Sequence, residues 1–206
     1  MKIIDISRPL NADTAVYKNY ESKRFHLNAV ATFPENGAHE SEIKTNLHTG
    51  THVDAPKHMV EDGVSLKDMD LSHFMGPAEV FDLTAVDEAI YLKDIKDLAI
   101  DPSRIVIFKT KNSFEDHFNF KFVYLEEDAA QYLVDLGVKT VALDAMSIER
   151  DKKGHEVHNI LLGNGVAIIE DVRLAEVEAG KYFLSALPLH IPDAEASPVR
   201  AVLIAE

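Results

Sequence analysis

Short apolar segments separated by polar turns dominate the chain, and their spacing predicts more strands than helices. Arg104–Lys109 and Thr140–Leu143 are short apolar runs, which are typical of buried strands. Between them, Glu126–Leu136 repeats its apolar residues with the helical period, and Gly137 follows as a helix C-cap. This strand–helix–strand order predicts that part of the sheet is parallel.

Other apolar or alternating segments extend this pattern over the rest of the chain. Further strands are predicted at Lys2–Ser7, Glu42–Leu47, Glu79–Leu83, Val166–Ile169, Lys181–Leu187 and Val199–Ile204. A second helix is predicted at Leu92–Leu98. We therefore expect an α/β fold with a mixed β-sheet and flanking helices. A length of 206 residues without a visible linker predicts a single domain, residues 1–206.

Composition excludes several functional classes. The formal net charge is −14 and the 21 basic residues are scattered, whereas nucleic-acid binding needs them clustered. No apolar run reaches the roughly 18 residues that a membrane helix needs. The first residues lack the apolar stretch of a signal peptide, so we expect a cytoplasmic protein. The absence of cysteine excludes disulfides and thiolate ligands, so nitrogen and oxygen atoms must hold any metal.

The segment from His48 to His58 concentrates metal-binding side chains. Its sequence is His-Thr-Gly-Thr-His-Val-Asp-Ala-Pro-Lys-His, with three histidines and one carboxylate. Imidazole and carboxylate are ligands for Zn²⁺, Mn²⁺ or Fe²⁺. The four candidates, His48, His52, Asp54 and His58, all have even numbers, so in an extended backbone they share one face. The segment therefore predicts a metal site.

A fully extended segment would keep the histidines too far apart. The Cα atoms of His48 and His52 would then be separated by about 13 Å. We expect a bend at Gly50, because glycine tolerates the required dihedral angles. We expect Pro56 to end the strand and turn His58 back toward the site.

Further along the chain, His158 and Glu170 form a second candidate pair. Val166–Ile169 is the predicted strand that leads into Glu170. The pair alone is also compatible with two surface residues. Asp144, after the predicted strand Thr140–Leu143, has two interpretations: it caps a loop, or it supports a metal-bound imidazole.

These residues resemble a known family, the cyclase-like metal hydrolases that include bacterial kynurenine formamidases and isatin hydrolases. The family segment HxGTHxDxPxH is present in full from His48 to His58. A second block of the family matches His158 to Glu170, which reads His-Asn-Ile-Leu-Leu-Gly-Asn-Gly-Val-Ala-Ile-Ile-Glu. Weaker matches follow the family order at Asp5–Leu10, Leu143–Glu149, Leu187–Leu189 and Ser197–Arg200.

The resemblance implies a metal centre and an assembly. The metal ligands would be His48, His52, Asp54, His158 and Glu170. His48, His52 and Asp54 would hold one ion, and Asp54, His158 and Glu170 would hold a second, with Asp54 bridging the two. Some relatives use a single ion. We expect Zn²⁺, with Mn²⁺ as the alternative, and one or two ions per subunit. The implied fold is a swivelling β/β/α domain that forms a homodimer or higher homo-oligomer.

The substrate segment differs from that of the family. Kynurenine formamidases carry a Trp-Pro-Gly-Asp-like segment whose aromatic residue helps to bind the substrate. Here the corresponding stretch is Val16-Tyr17-Lys18-Asn19-Tyr20, and the chain has no tryptophan. Tyr17 or Tyr20 would take the place of that aromatic residue, and Lys18 would change the charge of the pocket.

The resemblance implies an arylformamidase that acts on a small molecule. It would convert N-formylkynurenine and water to kynurenine and formate, a step of tryptophan catabolism. A divalent metal lowers the pKa of bound water from 15.7 to about 7. His58 would be the catalytic proton donor and acceptor. Two alternatives stay open: the same metal chemistry on a cyclic amide or lactone, and a non-enzymatic metal-binding module with a closed site.

Overall fold

Short strands alternate with three α-helices over residues 2–205, which are the residues that this computed structural model describes. In chain order the strands are β1 (Ile3–Asp5), β2 (His26–Ala31), β3 (Glu40–Lys44), β4 (His52–Asp54), β5 (Met75–Asp82), β6 (Ala89–Ile90), β7 (Ile105–Lys109), β8 (Tyr124–Leu125), β9 (Thr140–Leu143), β10 (Ala167–Glu170), β11 (Gly180–Ser185), β12 (Ala196–Pro198) and β13 (Val202–Ala205). The helices are α1 (Leu92–Ile95), α2 (Glu127–Leu136) and α3 (Glu156–Gly163).

Nine strands form one mixed sheet in the order β1-β13-β11-β5-β7-β9-β10-β4-β12. The four central strands β5, β7, β9 and β10 are parallel to their neighbours in that group, and the outer pairs are antiparallel. Every residue of β7, β9 and β10 is buried. Such fully buried strands are typical of parallel sheets covered on both faces. The predicted α/β fold with a mixed sheet is confirmed.

Apolar side chains cover both faces of the sheet. On one side, Leu133 of α2 and Leu161 of α3 pack with Val141 and Phe108. The other side holds a second cluster that contains Phe74. Within the described part of the chain, no helix has the length and apolar character needed to cross a membrane.

The central strand–helix–strand unit matches its prediction closely. β9 has the predicted bounds, and α2 begins after Glu126, whose side chain accepts a hydrogen bond from the backbone nitrogen of Glu127. Gly137 ends the helix in the left-handed region, with φ of 82°. Most other predicted strands are present with shifted ends, and α1 is shorter than predicted.

The predicted strand Glu42–Leu47 was wrong in its end. Its first part lies in β3, which ends at Lys44 and pairs with β2 in a separate two-stranded sheet. Every residue of β3 is exposed, including Ile43 at 65%. An alternating pattern predicts extended backbone and does not specify whether either face is buried. Because β3 ends at Lys44, it stops short of the histidine segment, which a strand to Leu47 would have reached.

Candidate metal centre

Strand β4 places two of the candidate ligands inside the sheet. It pairs with β10 so that His52 lies opposite Glu170 and Asp54 lies opposite Ile168. All three residues of β4 are buried. His52 and Asp54 point to the same side, as their spacing predicts, while Val53 belongs to the apolar cluster on the other side.

Gly50 provides the predicted bend. Its φ is +69°, and a Cβ atom there would lie 2.6 Å from Cδ2 of Leu10, so both conformation and space favour glycine. The bend brings Nδ1 of His48 within 2.9 Å of Oδ1 of Asp54. The rings of His48 and His52 have centroids 5.1 Å apart.

A short 3₁₀ turn at Pro56–His58 follows β4 and confirms that the strand ends before the proline. The turn brings the ring of His58 back toward the cluster. Its centroid lies 4.2 Å from that of His48 and 5.7 Å from that of His158. His58 therefore stands beside the candidate ligands.

The second pair joins the same cluster from two other elements. His158 lies on α3, a helix that was not predicted, and Glu170 is the last residue of β10. Nε2 of His158 lies 3.4 Å from Oε1 of Glu170, and Nε2 of His52 lies 3.3 Å from Oε2 of the same carboxylate. Both residues are buried. The interpretation of this pair as surface residues is therefore wrong.

Each of the three candidate histidine ligands has one ring nitrogen close to a protein oxygen. In His52, Nδ1 lies 2.8 Å from the carbonyl oxygen of Gly50. In His158, Nδ1 lies 2.5 Å from Oε1 of Glu149. In His48, Nε2 lies 3.4 Å from Oε1 of Glu195. When a ring is neutral, such a contact favours the proton on that nitrogen and leaves the lone pair on the other nitrogen, which faces the cluster.

Unpaired buried atoms test whether these residues fit a metal ion. Among the described residues, Nε2 of His52 and both carboxylate oxygens of Asp54 are buried and make no well-aligned hydrogen bond, although the first lies 3.3 Å from Glu170 and Oδ1 of Asp54 lies 2.9 Å from His48. Leaving such atoms unpaired is unfavourable, and a coordinated cation would satisfy all three. The donor set of imidazoles and carboxylates suits a divalent ion.

The spacing of the donor atoms gives a second test. Zinc bonds to nitrogen and oxygen are about 2.0–2.2 Å long, so neighbouring ligands of a tetrahedral ion lie about 3.3 Å apart. Oδ1 of Asp54 lies 2.9 Å from Nδ1 of His48 and 3.5 Å from Nε2 of His52. The contacts of Glu170 with His52 and His158 are 3.3 and 3.4 Å. The cluster therefore has the dimensions of a metal site.

The donor atoms form overlapping groups within 4.8 Å of one another. One group contains His52, Asp54 and Glu170, and another contains His48, Asp54 and His58. Asp54 belongs to both, as a bridging ligand would. The division of ligands between two ions that the resemblance implies stays a prediction.

Neighbouring charges set the protonation of these histidines. Burial opposes the charged ring of His52, but the carboxylates of Asp54 and Glu170 outweigh it and raise its pKa to about 9. Burial likewise opposes charge on His158, but Glu149 and Glu170 raise its pKa to about 10. Burial lowers the pKa of His58 to about 4, so this ring is neutral near pH 7.

A cavity of about 160 Å³ opens beside the cluster. His48, His58, His158 and Glu170 are among its lining residues, together with Tyr17. The cavity contradicts the closed site that a non-enzymatic metal-binding module would have.

The two tyrosines of the substrate segment differ in position. Tyr17 lines the cavity, whereas Tyr20 is not among its lining residues and is 49% exposed. Lys18 is also not among the lining residues, and its ammonium group pairs with Asp151, which does line the cavity. Lys23 lines it instead, with Nζ 5.6 Å from the centre of the Tyr17 ring.

Asp144 caps a loop, which was the first of its two interpretations. Its buried carboxylate accepts hydrogen bonds from the backbone nitrogen and the hydroxyl of Thr110, both at 2.7 Å. It also accepts bonds from the backbone nitrogen and hydroxyl of Ser113, at 3.1 and 2.6 Å. The carboxylate that supports a candidate ligand is Glu149, which sequence reasoning missed although it closes a family-like block.

A sequence model of the family described as "Putative cyclase" matches residues 4–150. The chain belongs to this cyclase family. The resemblance inferred from the motifs is therefore confirmed. The matched range contains the whole segment His48–His58, and His158 and Glu170 follow it.

Relatives are similar to this chain over nearly its full length. A kynurenine formamidase of Salinibacter ruber (strain DSM 13855 / M31) is 35% identical over 206 residues, 98% of this chain and 97% of that protein. A kynurenine formamidase of Bacillus mycoides (strain KBAB4) is 32% identical over 204 residues, 97% of this chain and 96% of that protein. Both similarities extend past the family match into the part that contains His158 and Glu170.

Two solved structures share the architecture of this chain. A predicted metal-dependent hydrolase from Bacillus stearothermophilus is 42% identical, with a TM-score of 0.89 over 98% of this chain and 97% of that chain. Isatin hydrolase A from Labrenzia aggregata, bound to benzyl benzoate, has a TM-score of 0.87 over 100% of this chain and 94% of that chain. Since the two sequences are only 21% identical, this similarity shows a common fold and nothing further.

Proposed function

We propose that this chain is a metal-dependent arylformamidase that hydrolyses N-formylkynurenine to kynurenine and formate. The observation that carries the proposal is the convergence of imidazole and carboxylate atoms from β4, β10 and α3 beside an open cavity, with His58 next to them. The substrate is suggested by the kynurenine formamidases to which the chain is similar over nearly its full length.

The residues proposed to hold the metal are His48, His52, Asp54, His158 and Glu170. A bound divalent ion supplies Lewis acidity, which polarises a carbonyl group and makes water a better nucleophile near neutral pH. The chain orients the imidazoles of His52 and His158 through their other ring nitrogens, so the rings are in position before they lose a proton and bind the ion.

His58 is proposed to move the proton in this reaction. Water adds to the formyl carbon, and the neutral imidazole of His58 accepts the proton that the water loses. The bond between the formyl carbon and the nitrogen then breaks, and His58 returns the proton to the leaving nitrogen. Formic acid and the free arylamine are formed, the acid loses its remaining proton to solvent to give formate, and His58 ends as it began.

The cavity walls suit an aromatic substrate that carries charge. The ring of Tyr17 offers an aromatic surface, and its edge-to-face contact with Phe118, at 5.0 Å between centroids, holds it in position. Lys23 is a cation on the wall that can pair with a carboxylate. We assign Tyr17 to the substrate, while a role for Tyr20 would require the substrate to extend beyond the cavity.

The direct test is formate release by the Zn²⁺-loaded and Mn²⁺-loaded protein from N-formylkynurenine, with lactams and lactones as competing substrates. We expect turnover of the formamide, abolished by EDTA and restored by metal. Turnover of a lactam or lactone alone would favour the cyclic-substrate alternative. Full activity of demonstrably metal-free protein would contradict metal-dependent hydrolysis.

A His58→Gln variant separates proton transfer from metal binding. Loss of a general acid–base group lowers kcat by about 10²–10⁴-fold. We expect that loss with unchanged metal content. Since His58 shares a donor group with His48 and Asp54, loss of the metal in His58→Gln would instead assign His58 as a ligand.

We further propose Zn²⁺ in preference to Mn²⁺, a homodimeric assembly and a cytoplasmic location. Metal analysis of protein purified without added metal tests the identity of the ion. Light scattering tests the homodimer, and cell fractionation of the native host tests the location.

A further inference from the structure

We propose that Glu149 is a positioning residue that fixes the tautomer and orientation of His158, and thereby controls metal affinity. The proposal depends on the proposed function only in requiring that the cluster binds a metal ion. It is independent of the substrate. Glu149 contributes no atom to the two groups around Asp54, and it forms a separate group of possible donors with His155 and His158.

The carboxylate of Glu149 is almost fully buried and makes contacts with the start of α3. It is 1% exposed. Oε2 accepts a hydrogen bond of 3.1 Å from the backbone nitrogen of Val157, and Oε1 accepts a longer one of 3.4 Å from the backbone nitrogen of His158. A buried carboxylate needs such donors, and they hold its oxygens in fixed places. Glu149 therefore presents Oε1 to the His158 ring at a defined position.

The contact between Glu149 and His158 determines which ring nitrogen can bind a metal. Nδ1 of His158 lies 2.5 Å from Oε1 of Glu149, and a carboxylate at this distance receives the Nδ1 proton. In the neutral ring Nε2 then carries the lone pair, and Nε2 faces Oε1 of Glu170 at 3.4 Å. Without the carboxylate, the ring could adopt the other tautomer or rotate.

The residue before Glu149 has the corresponding role for another ligand. The backbone nitrogen of Ile148 donates a hydrogen bond of 2.6 Å to Oε1 of Glu170. The loop is held in turn, because Leu125 donates to the carbonyl oxygen of Ile148 at 2.8 Å and Asp171 donates to that of Ala145 at 2.7 Å. Two consecutive residues of one loop thus orient candidate ligands that come from a helix and from a strand.

His155 is the other ring near Glu149, and its geometry makes it the weaker partner. Its Nδ1 lies 3.5 Å from Oε1 of Glu149, and its side chain is 44% exposed. The shorter contact and deeper burial of His158 identify that ring as the partner of Glu149.

Glu149→Gln tests the proposal by removing the charge while keeping an acceptor of similar size. Affinity for Zn²⁺ is measured by competition with a chromophoric chelator, and the Co²⁺-loaded protein is examined by absorption spectroscopy. We expect affinity to fall by about 10–100-fold, the usual effect of losing a partner of a ligand imidazole. We also expect the Co²⁺ spectrum to change.

Glu126→Gln is the matched control, because Glu126 accepts a hydrogen bond from Glu127 at the start of α2. Within residues 2–205, the other hydrogen-bond partners of its side chain are Tyr124 and Lys152, and neither is a candidate ligand. We expect the wild-type affinity in Glu126→Gln. Equal affinities in the two variants and the wild type would overturn the proposal.

Nitrogen-15 NMR of the wild-type protein tests the proposal even if Glu149→Gln does not fold. We expect His158 to carry its proton on Nδ1 in the metal-loaded protein, and a proton on Nε2 would overturn the assignment. If the wild type binds metal without hydrolysing N-formylkynurenine, the proposed substrate is wrong. The role of Glu149 is then still decided by the metal affinity, the Co²⁺ spectrum and the position of the His158 proton.

Discussion

Glu170 lies directly opposite His52 in the antiparallel pairing of β10 and β4, and Oε2 of its carboxylate is 3.3 Å from Nε2 of the imidazole. The sheet itself therefore brings together two donors that are far apart in the sequence. The position of each is set by backbone hydrogen bonds of the sheet, which are more rigid than those of a surface loop.

The first prediction concerns this carboxylate. Glu170→Gln should lower metal affinity by at least about 100-fold, because a neutral amide replaces a proposed ligand. Loss of a residue that only hydrogen-bonds to a ligand already lowers affinity by about 10–100-fold. Metal content after dialysis, with circular dichroism as the check on folding, measures the effect.

Glu195→Gln is the comparison for Glu170→Gln. Glu195 lies 3.4 Å from Nε2 of His48, but its side chain is 38% exposed. Water can replace such a carboxylate, so we expect a smaller loss. A Glu170→Gln protein that keeps wild-type metal content would exclude Glu170 as a ligand.

The second prediction concerns protons released by metal binding. In the metal-free protein the pKa of His52 is raised to about 9 and that of His158 to about 10, so both rings are protonated at pH 7. Because metal ligation needs neutral imidazole, binding should release protons and the apparent affinity should rise with pH. Calorimetric titration with Zn²⁺ in buffers of different ionisation enthalpy counts the protons. No dependence on the buffer would contradict the prediction.

The same raised pKa values predict how the stability of the metal-free protein depends on pH. A histidine whose folded pKa lies above its unfolded value near 6.5 contributes stability below that value. This contribution should be lost as the pH rises through about 9 and 10, the pKa values of His52 and His158. Thermal unfolding of the metal-free protein between pH 6 and 10 should show the decline, and metal-saturated protein is the control.

The third prediction concerns the bend before β4. Gly50→Ala should lower the free energy of unfolding by about 1–2 kcal/mol for the left-handed backbone and by a further ~1–3 kcal/mol for the clash with Leu10. It should also weaken metal binding, since the bend brings His48 to Asp54. Chemical denaturation and metal titration measure the two effects.

Gly137→Ala separates backbone strain from the clash. Gly137 also has a positive φ, of +82°, but a Cβ atom there would meet nothing within 4 Å. We expect Gly137→Ala to lower the free energy of unfolding by about 1–2 kcal/mol, through backbone strain alone, and to leave the metal affinity unchanged. Equal losses at Gly50 and Gly137 would show that the contact with Leu10 has no energetic effect.

The fourth prediction distinguishes the two tyrosines. Tyr17→Ala should raise KM for N-formylkynurenine, because Tyr17 lines the cavity and Tyr20 does not. Tyr17→Phe keeps the aromatic surface and should stay close to wild type. Steady-state kinetics of these variants and of Tyr20→Ala test the assignment, and a larger effect at Tyr20 would reverse it.

Local chemistry made part of this molecule predictable from its sequence. Glycine at position 137 ends α2, and glycine at position 50 bends the ligand segment, because few other residues adopt positive φ. The parallel arrangement of β7 and β9 follows from the helix between them. The even spacing of His52 and Asp54 correctly placed both on one side of the sheet.

Long-range contacts were harder to predict. Ile43 shows the strand period but is exposed in β3, since periodicity does not specify what packs against a face. Helix α3 is too short and too apolar for its period to be recognised, so His158 was assigned without its helix. No feature of the sequence identified Glu149 as a buried carboxylate, because its burial becomes apparent only when the groups that donate hydrogen bonds to it are known.

The loop from Ala145 to Glu149 has a consequence for how metal sites of this type diversify. It orients His158 and Glu170 without being part of the proposed ligand set. Substitutions in this loop can therefore alter the preference between ions, or the rate of metal exchange, while every ligand residue is preserved. A search for variants with changed metal selectivity should begin in this loop rather than at the ligands themselves.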